Sequence, residues 1–232
     1  MRTPLLLCLG VILLSSCQYQ YMTIASDTIP VNNKNEFVVE TDTLLITYSF
    51  HGLNGPVQVS IYNKSNIGLE IDWKRSSLII GDKPYNYYKP VMQISGVVEN
   101  NRRRDNDVTG TITAREGTQF IPPASGISKM EFHLNSPGLI DTRNVELQKL
   151  KREKGGAIIK RGEFNRITSP FAFRSYLTFV TGNGGTSEFA VDHSFYVSEL
   201  IKTSQQPTSE WLSRDDRGNE FYIREMNVNG TR

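Results

Sequence analysis

The sequence predicts an all-β protein, an antiparallel β-sandwich of Ig-like or Greek-key type with few short helices. Three observations carry that expectation. Apolar residues recur with a period of two in many short runs, turns rich in Gly, Pro and Asn separate the runs, and helical spacing is confined to two brief stretches. At 232 residues with a formal net charge of +2, the chain holds one core-forming domain and lacks the basic excess of a nucleic-acid binder.

The elements follow in order. Leu44, Ile46, Tyr48 and Phe50 alternate with Thr43, Leu45, Thr47 and Ser49, and Val57, Val59 and Ile61 share a face after His51-Gly52-Leu53-Asn54-Gly55-Pro56. These two runs predict a β-hairpin with a six-residue loop. Leu69, Ile71 and Trp73 form the next strand, and Ser77–Ile80 a short separate one before the Gly81–Pro84 turn. Further strands are expected at Val91–Val98, Val108–Ala114, Thr118–Ile121 and Lys129–Leu134. Phe171, Phe173, Leu177 and Phe179 line one face of a strong strand; a glycine-rich turn at 181–185 leads into Phe189, Val191, Phe195 and Val197. Glu220–Glu225 is the last strand expected. Only Val145–Lys154 and Ser209–Leu212 have helical character.

The start of the chain has a different logic. Met1-Arg2 is followed by an uncharged apolar run from Leu5 to Leu14, about half the roughly 20 residues that cross a bilayer and suited to the h-region of a secretory signal. Leu14-Ser15-Ser16-Cys17 then resembles the lipobox of bacterial lipoproteins, which implies cleavage after Ser16 and diacylglycerol on the Cys17 thiol. The expected organisation is a signal peptide at 1–16, a lipidated tether at 17–35, and a single domain at 36–232 with a loop-rich insertion near 135–165. Gln, Ser, Asn, Asp, Thr and Pro30 dominate the tether, which could extend up to about 60 Å, with Tyr19 and Tyr21 at the membrane interface. Cys8 leaves with the signal and Cys17 carries lipid, so no thiol remains for a disulfide, a zinc site or a nucleophile. Gln18 in place of the Asp that retains some lipoproteins at the inner membrane points to the outer membrane. The absence of an acidic cluster in Gln18-Tyr19-Gln20-Tyr21 points to its periplasmic face.

Asn63-Lys64-Ser65 and Ile71-Asp72-Trp73-Lys74-Arg75-Ser76-Ser77-Leu78-Ile79, with Asp42-Thr43-Leu44 and Tyr48-Ser49-Phe50 before them, resemble a group of uncharacterised Bacteroidota lipoproteins. The likeness extends in pieces to Phe120-Ile121-Pro122-Pro123 and Phe171-Ala172-Phe173-Arg174-Ser175-Tyr176-Leu177. It implies an extracytoplasmic, mostly β lipoprotein and transfers no functional residue.

Motifs for chemistry are missing at sequence level. His51, His133 and His193 have no second ligand at metal spacing, and no Walker loop, G-x-S-x-G, H-E-x-x-H or S-x-x-K occurs. Asp192-His193-Ser194 does not converge on a strand, whose neighbours face opposite ways. Asp72, between Ile71 and Trp73, is expected to be buried and paired in a structural role. No catalytic residue, metal or cofactor is therefore assigned.

Two surfaces have a physical case as contacts. Tyr85, Tyr87 and Tyr88, beside Pro84 and Pro90, offer flat apolar faces with polar edges for a glycan or a protein partner. Arg102-Arg103-Arg104 and the basic residues Lys149, Lys151, Arg152, Lys154, Lys160 and Arg161 are interspersed with acids, as on a solvated loop. Asp27-Thr28-Ile29 and Asp42-Thr43-Leu44 resemble the O-glycan acceptor of Bacteroidota periplasmic proteins; Thr28 is the accessible candidate, Thr43 being expected within a strand. The functional expectation is a non-enzymatic binding or structural module, anchored to the membrane through Cys17 and engaging an envelope protein. The alternative is a carbohydrate-binding lipoprotein in glycan capture.

Overall fold

The computed structural model describes residues 18–88, 92–98, 108–114, 117–135, 139–150, 158–181 and 187–225. The expected leader at 1–16, Cys17, Pro90, Arg102-Arg103-Arg104, Lys151, Arg152 and Lys154 lie outside these residues, as does most of the turn at 181–185. The first strands are β1 (Gln18–Ala25), β2 (Phe37–Glu40), β3 (Leu44–Ser49), β4 (Gly52–Leu53), β5 (Pro56–Asn63) and β6 (Leu69–Ile80). Next come β7 (Lys83–Asn86), β8 (Met92–Val98), β9 (Val108–Ala114), β10 (Thr118–Ile121) and β11 (Ser125–His133). The remainder is β12 (Gln148–Leu150), β13 (Ile159–Glu163), β14 (Ala172–Thr181), β15 (Ser187–Thr203), helix α1 (Ser209–Ser213) and β16 (Glu220–Glu225).

Among the described residues the strands form three sheets. A ten-stranded sheet runs β10-β6-β14-β15-β1-β16-β4, with β13 on β15, β12 on β13 and β7 on β6. A four-stranded sheet runs β11-β5-β3-β2, and β8 pairs with β9. The chain is mostly β as expected, and these ladders are antiparallel except for the short parallel pair of β16 and β4.

The expected hairpin is present: β3 and β5 pair from Leu44↔Asn63 to Ser49↔Gln58. Its loop carries more than a turn, because Gly52–Leu53 crosses to the larger sheet as β4. Gly55 sits there at φ +63°, and a Cβ would lie 3.0 Å from the Phe221 ring and 3.1 Å from Leu134 Cβ. Only glycine fits that combination of left-handed backbone and close approach.

Residues 69–80 form one strand where the sequence suggested two. The register passes from Thr178↔Asp72 to Tyr176↔Ser77, so Leu177 alone spans Trp73 to Ser76, a bulge. Asp72 holds it: Oδ1 accepts from the amides of Lys74 at 2.9 Å and Arg75 at 3.2 Å. Ser76 Oγ donates to Asp72 O at 2.6 Å and accepts from Thr178 N at 3.0 Å. Asp72 thus has a structural role, but the burial expected of it is corrected: it is half-buried and holds backbone amides.

Two expectations are corrected. The tether at 17–35 is not free over its first part, because residues 18–25 form β1 between β15 and β16. Met22 and Ile24 are core residues, and Gln20 is buried with its amide held by Thr142 and Glu225. A satisfied buried glutamine masks the alternation. Beyond β1, Val31 bridges Phe37 and Ile29 is buried, so this segment also packs on the domain. The helical expectation for Val145–Lys154 fails where it is described: Gln148–Leu150 is β12, paired with β13. The expected insertion near 135–165 therefore contains a small hairpin added to the edge of β15. The other helix is present as α1, its N-cap Thr208 Oγ1 accepting from Trp211 N at 3.1 Å.

The two larger sheets share one core. Phe195 of β15 meets Phe37, Tyr48 and Phe50 of the smaller-sheet side with ring centroids 5.1–5.4 Å apart, and stacks on Phe173 of β14 at 5.2 Å. Such edge and offset contacts add to the area each ring buries.

Candidate functional site

β15 is the longest strand, 17 residues, and it outruns its neighbours. On one side it pairs with β14 over Ser187–Tyr196 and with β13 over Glu199–Lys202. On the other, β1 pairs only from Tyr196 to Thr203. Among the described residues, no strand occupies that side of β15 from Ser187 to Phe195.

The orientation of the backbone there follows from parity. In a strand, one residue's N–H and C=O point to one side and the next residue's to the other. Val197 N donates to Phe171 O on the β14 side at 2.9 Å, and Ser194 O accepts from Ser26 Oγ on the opposite side at 2.8 Å. Glu188, Ala190 and Asp192 share the parity of Ser194, so their backbone groups face the open side. Their side chains point to the outer face, where Glu188 pairs with Arg75 and Asp192 with Arg174.

From Phe189 to Val197 the odd residues of β15 face the smaller sheet. Phe195 is fully buried, His193 and Val191 are half-buried, and Phe189 stacks on Phe179 at 5.2 Å. Opposite them stand Val39 of β2 and Leu44 and Ile46 of β3. Together they enclose an apolar cleft of about 310 Å³ whose mouth carries Thr41 and Thr43. A tight turn fixes that mouth: Thr41 N donates to Leu44 O at 2.8 Å, and Leu44 N to Thr41 Oγ1 at 2.9 Å. The volume falls at the lower end of small-ligand sites, and the lining suits aliphatic or aromatic side chains.

His193 closes the polar account of this region. Its Nδ1 lies 2.8 Å from Tyr48 Oη, and burial pushes the imidazole below its ordinary value while the Asp192 charge partly opposes the shift. Burial also holds the Tyr48 phenol well above its usual range. The folded state therefore favours neutral His193, so its contribution is complete above the unfolded value of about 6.5 and is lost as pH falls through the lower folded value. Thermal melts from pH 7.5 down to 5 are expected to show a falling Tm, with a shallower slope in His193→Gln. An unchanged slope in that variant would remove His193 as the source.

The residues singled out by sequence are placed as follows. Tyr87 is 1 % exposed, its ring against Trp73 and Phe132 and its hydroxyl 3.0 Å from Ser175 Oγ. It is a core residue, so the three-tyrosine contact surface is corrected. Tyr85 and Tyr88 are half-buried against the core, and Lys74 lies 5.3 Å over the Tyr88 ring. Thr28 is exposed after β1; Thr43 is exposed too, in the turn before β3 rather than inside the strand. Asp192 and His193 face opposite sides of β15, in line with the rejection of a triad. His51 packs on Trp211 with ring centroids 4.7 Å apart, and the described residues contain no group of three metal-ligating side chains.

Of the cleft residues, Leu44, Ile46, Phe189 and Val191 were legible as strand positions, and Val39, in the unanticipated β2, was not. The available signal was length: the alternation from Phe189 to Val197 and beyond exceeds any neighbouring run.

The fold defines a mostly β chain with, among the described residues, an open strand edge beside an apolar cleft. No family model, curated protein or solved structure matches it.

Proposed function

We propose that the chain is a lipid-anchored envelope protein, held through Cys17 at the periplasmic face of the outer membrane, that binds an envelope protein partner without catalysis. Its two facing sheets are read as a β-sandwich of Greek-key kind, with sequence-distant strands such as β1 and β15 side by side. The mode of binding is strand addition. An extended segment of the partner lies along β15, bonds to the backbones of Glu188, Ala190 and Asp192, and inserts alternate apolar side chains into the cleft. The observation that carries this reading is the coincidence of an unpaired edge with a cleft lined by Val39, Leu44, Ile46, Phe189 and Val191.

The glycan alternative has less support. A sugar platform needs flat, accessible aromatic faces, and Tyr87 is inside the core. The other aromatic cluster, Tyr21, Tyr222 and Trp211, packs edge to face at 75° and 86° around Trp211.

The test is cross-linking in the native membrane followed by affinity purification and mass spectrometry. Val191→Lys places a charge in the cleft and is expected to reduce partner recovery about tenfold or more, while Tyr85→Ala leaves it unchanged. Recovery unaffected by Val191→Lys, or no partner where other envelope complexes are recovered, would reject strand addition. Cys17→Ser should move the protein out of the membrane fraction.

A further inference from the structure

We infer that the end of the ten-stranded sheet beside Cys17 is a seat for an anionic phospholipid bilayer, so that the domain stands on the membrane in a fixed orientation. The inference rests on acylation of Cys17, and it follows from the position of β1. The strand begins at Gln18, one residue step of about 3.8 Å from the acylated position. No spacer separates lipid from sheet.

The register shows what lies at that end. One row across the sheet holds Lys149, Lys160, Lys202 and Gln20. The next row toward Cys17 holds Leu150, Ile159, Thr203, Tyr19 and Arg224. Gln18 and Glu225 form the last pair, with Ile158 one residue beyond Ile159. At about 3.3 Å per residue the lysine row stands roughly 10 Å from Cys17, within reach of headgroup phosphates for flexible lysine stems.

Chemistry at this end suits an anionic interface. Ile158 is 68 % exposed and Leu150 43 %, two apolar side chains at the level of the lipid attachment. Arg143 joins the lysines, because Lys202 Nζ donates to the carbonyl of the adjacent Thr142 at 2.9 Å. The carboxylates nearby are engaged: Glu225 accepts from Gln20, and Asp141 pairs with Arg143 at 2.8 Å. Glu163 and Glu199 lie three rows farther from the lipid, both on Arg161. Among the described residues cations outnumber carboxylates where the bilayer would be, and each basic group near an anionic surface adds to the attraction.

The opposite end provides an internal control. Ile167 is 94 % exposed, beside Arg166 and Asp27, past the far end of β1. A domain turning freely about its lipid would still hold Ile158 nearer the bilayer than Ile167, but its 158 signal would not depend on the lysine row; in a seated domain it does.

The test uses the full lipidated chain, in which an introduced cysteine is the sole free thiol. Ile158→Cys and Ile167→Cys are each labelled with an environment-sensitive fluorophore and reconstituted into vesicles of phosphatidylcholine and phosphatidylglycerol carrying a headgroup-level quencher. Quenching several-fold greater at 158 than at 167 is expected. Lys149→Glu with Lys160→Glu should lower the seated-to-unseated ratio by roughly tenfold or more, bringing the 158 signal toward that at 167. Equal quenching at the two sites on protein whose intact mass includes the acyl chains would overturn the seat and leave the anchor standing. Protein without acyl mass would overturn both.

Discussion

Phe195→Ala is expected to lower the free energy of unfolding by about 3–5 kcal/mol, the range for truncating a fully buried aromatic ring. The ring lies where β14, β15 and the smaller sheet converge, with Phe37, Tyr48, Phe50 and Phe173 around it. Those neighbours belong to three different segments of the backbone, β2, the end of β3 and β14, so the vacated space cannot collapse by moving one of them. Urea unfolding of the detergent-solubilised protein measures the cost, and Phe195→Leu, which keeps much of the volume, should lose distinctly less. A cost for Phe195→Ala below about 1 kcal/mol would mean that the sheets do not share this core.

Tyr87→Ala is expected to cost a similar amount, about 3–5 kcal/mol, and Tyr87→Phe about 1–2 kcal/mol. The ring fills space between Trp73 and Phe132, and its hydroxyl partners Ser175, itself buried. Burial also pushes the Tyr87 phenol well above its ordinary range, with the Ser175 bond opposing the shift. Tyr87→Phe leaves the serine hydroxyl without that partner, and adding Ser175→Ala should recover part of the loss, as a coupled pair requires. An exposed contact tyrosine would change stability by no more than about 0.5 kcal/mol in either direction, so the same denaturation curves separate a core role from a surface one.

Local pattern made much of the fold legible. β9, β10 and β16 have the bounds that alternation assigns, and the hairpin of β3 and β5 follows from two apolar runs around a turn. Features set by distant partners were not legible. In β1, Gln20 occupies a core position and is satisfied by Thr142 and Glu225, more than a hundred residues away in sequence. In β12, Gln148–Leu150 lies among good helix formers, and pairing with β13 overrides their propensity. Tyr87 sits in a polar, proline-flanked stretch that looks like an exposed loop, yet its amide bonds to Ser76 O at 3.0 Å and its ring turns inward. The cleft was the least accessible feature, because it exists through a difference in length between β1 and β15, strands at opposite ends of the chain. An unpaired edge has no motif.

The placement of β1 against β15 has a mechanical consequence. In the proposed arrangement, lipid on Cys17 and a partner strand on β15, tension applied at the outer half of β15 would reach Cys17 through the seven paired positions from Tyr19↔Thr203 to Ala25↔Tyr196. A pull on the Ser187 end of β15 resisted at the Gln18 end of β1 would draw the two strands past one another along their length. The ladder is then loaded in shear, all its hydrogen bonds sharing the force, and cannot be peeled one pair at a time. β15 also sets the lever: from Thr203 to Phe189 it spans roughly 45 Å at the usual rise, so the grip stands well clear of the bilayer. If the proposed anchor and partner hold, the strand would act as a stay, transmitting load from one to the other without a compliant linker between them.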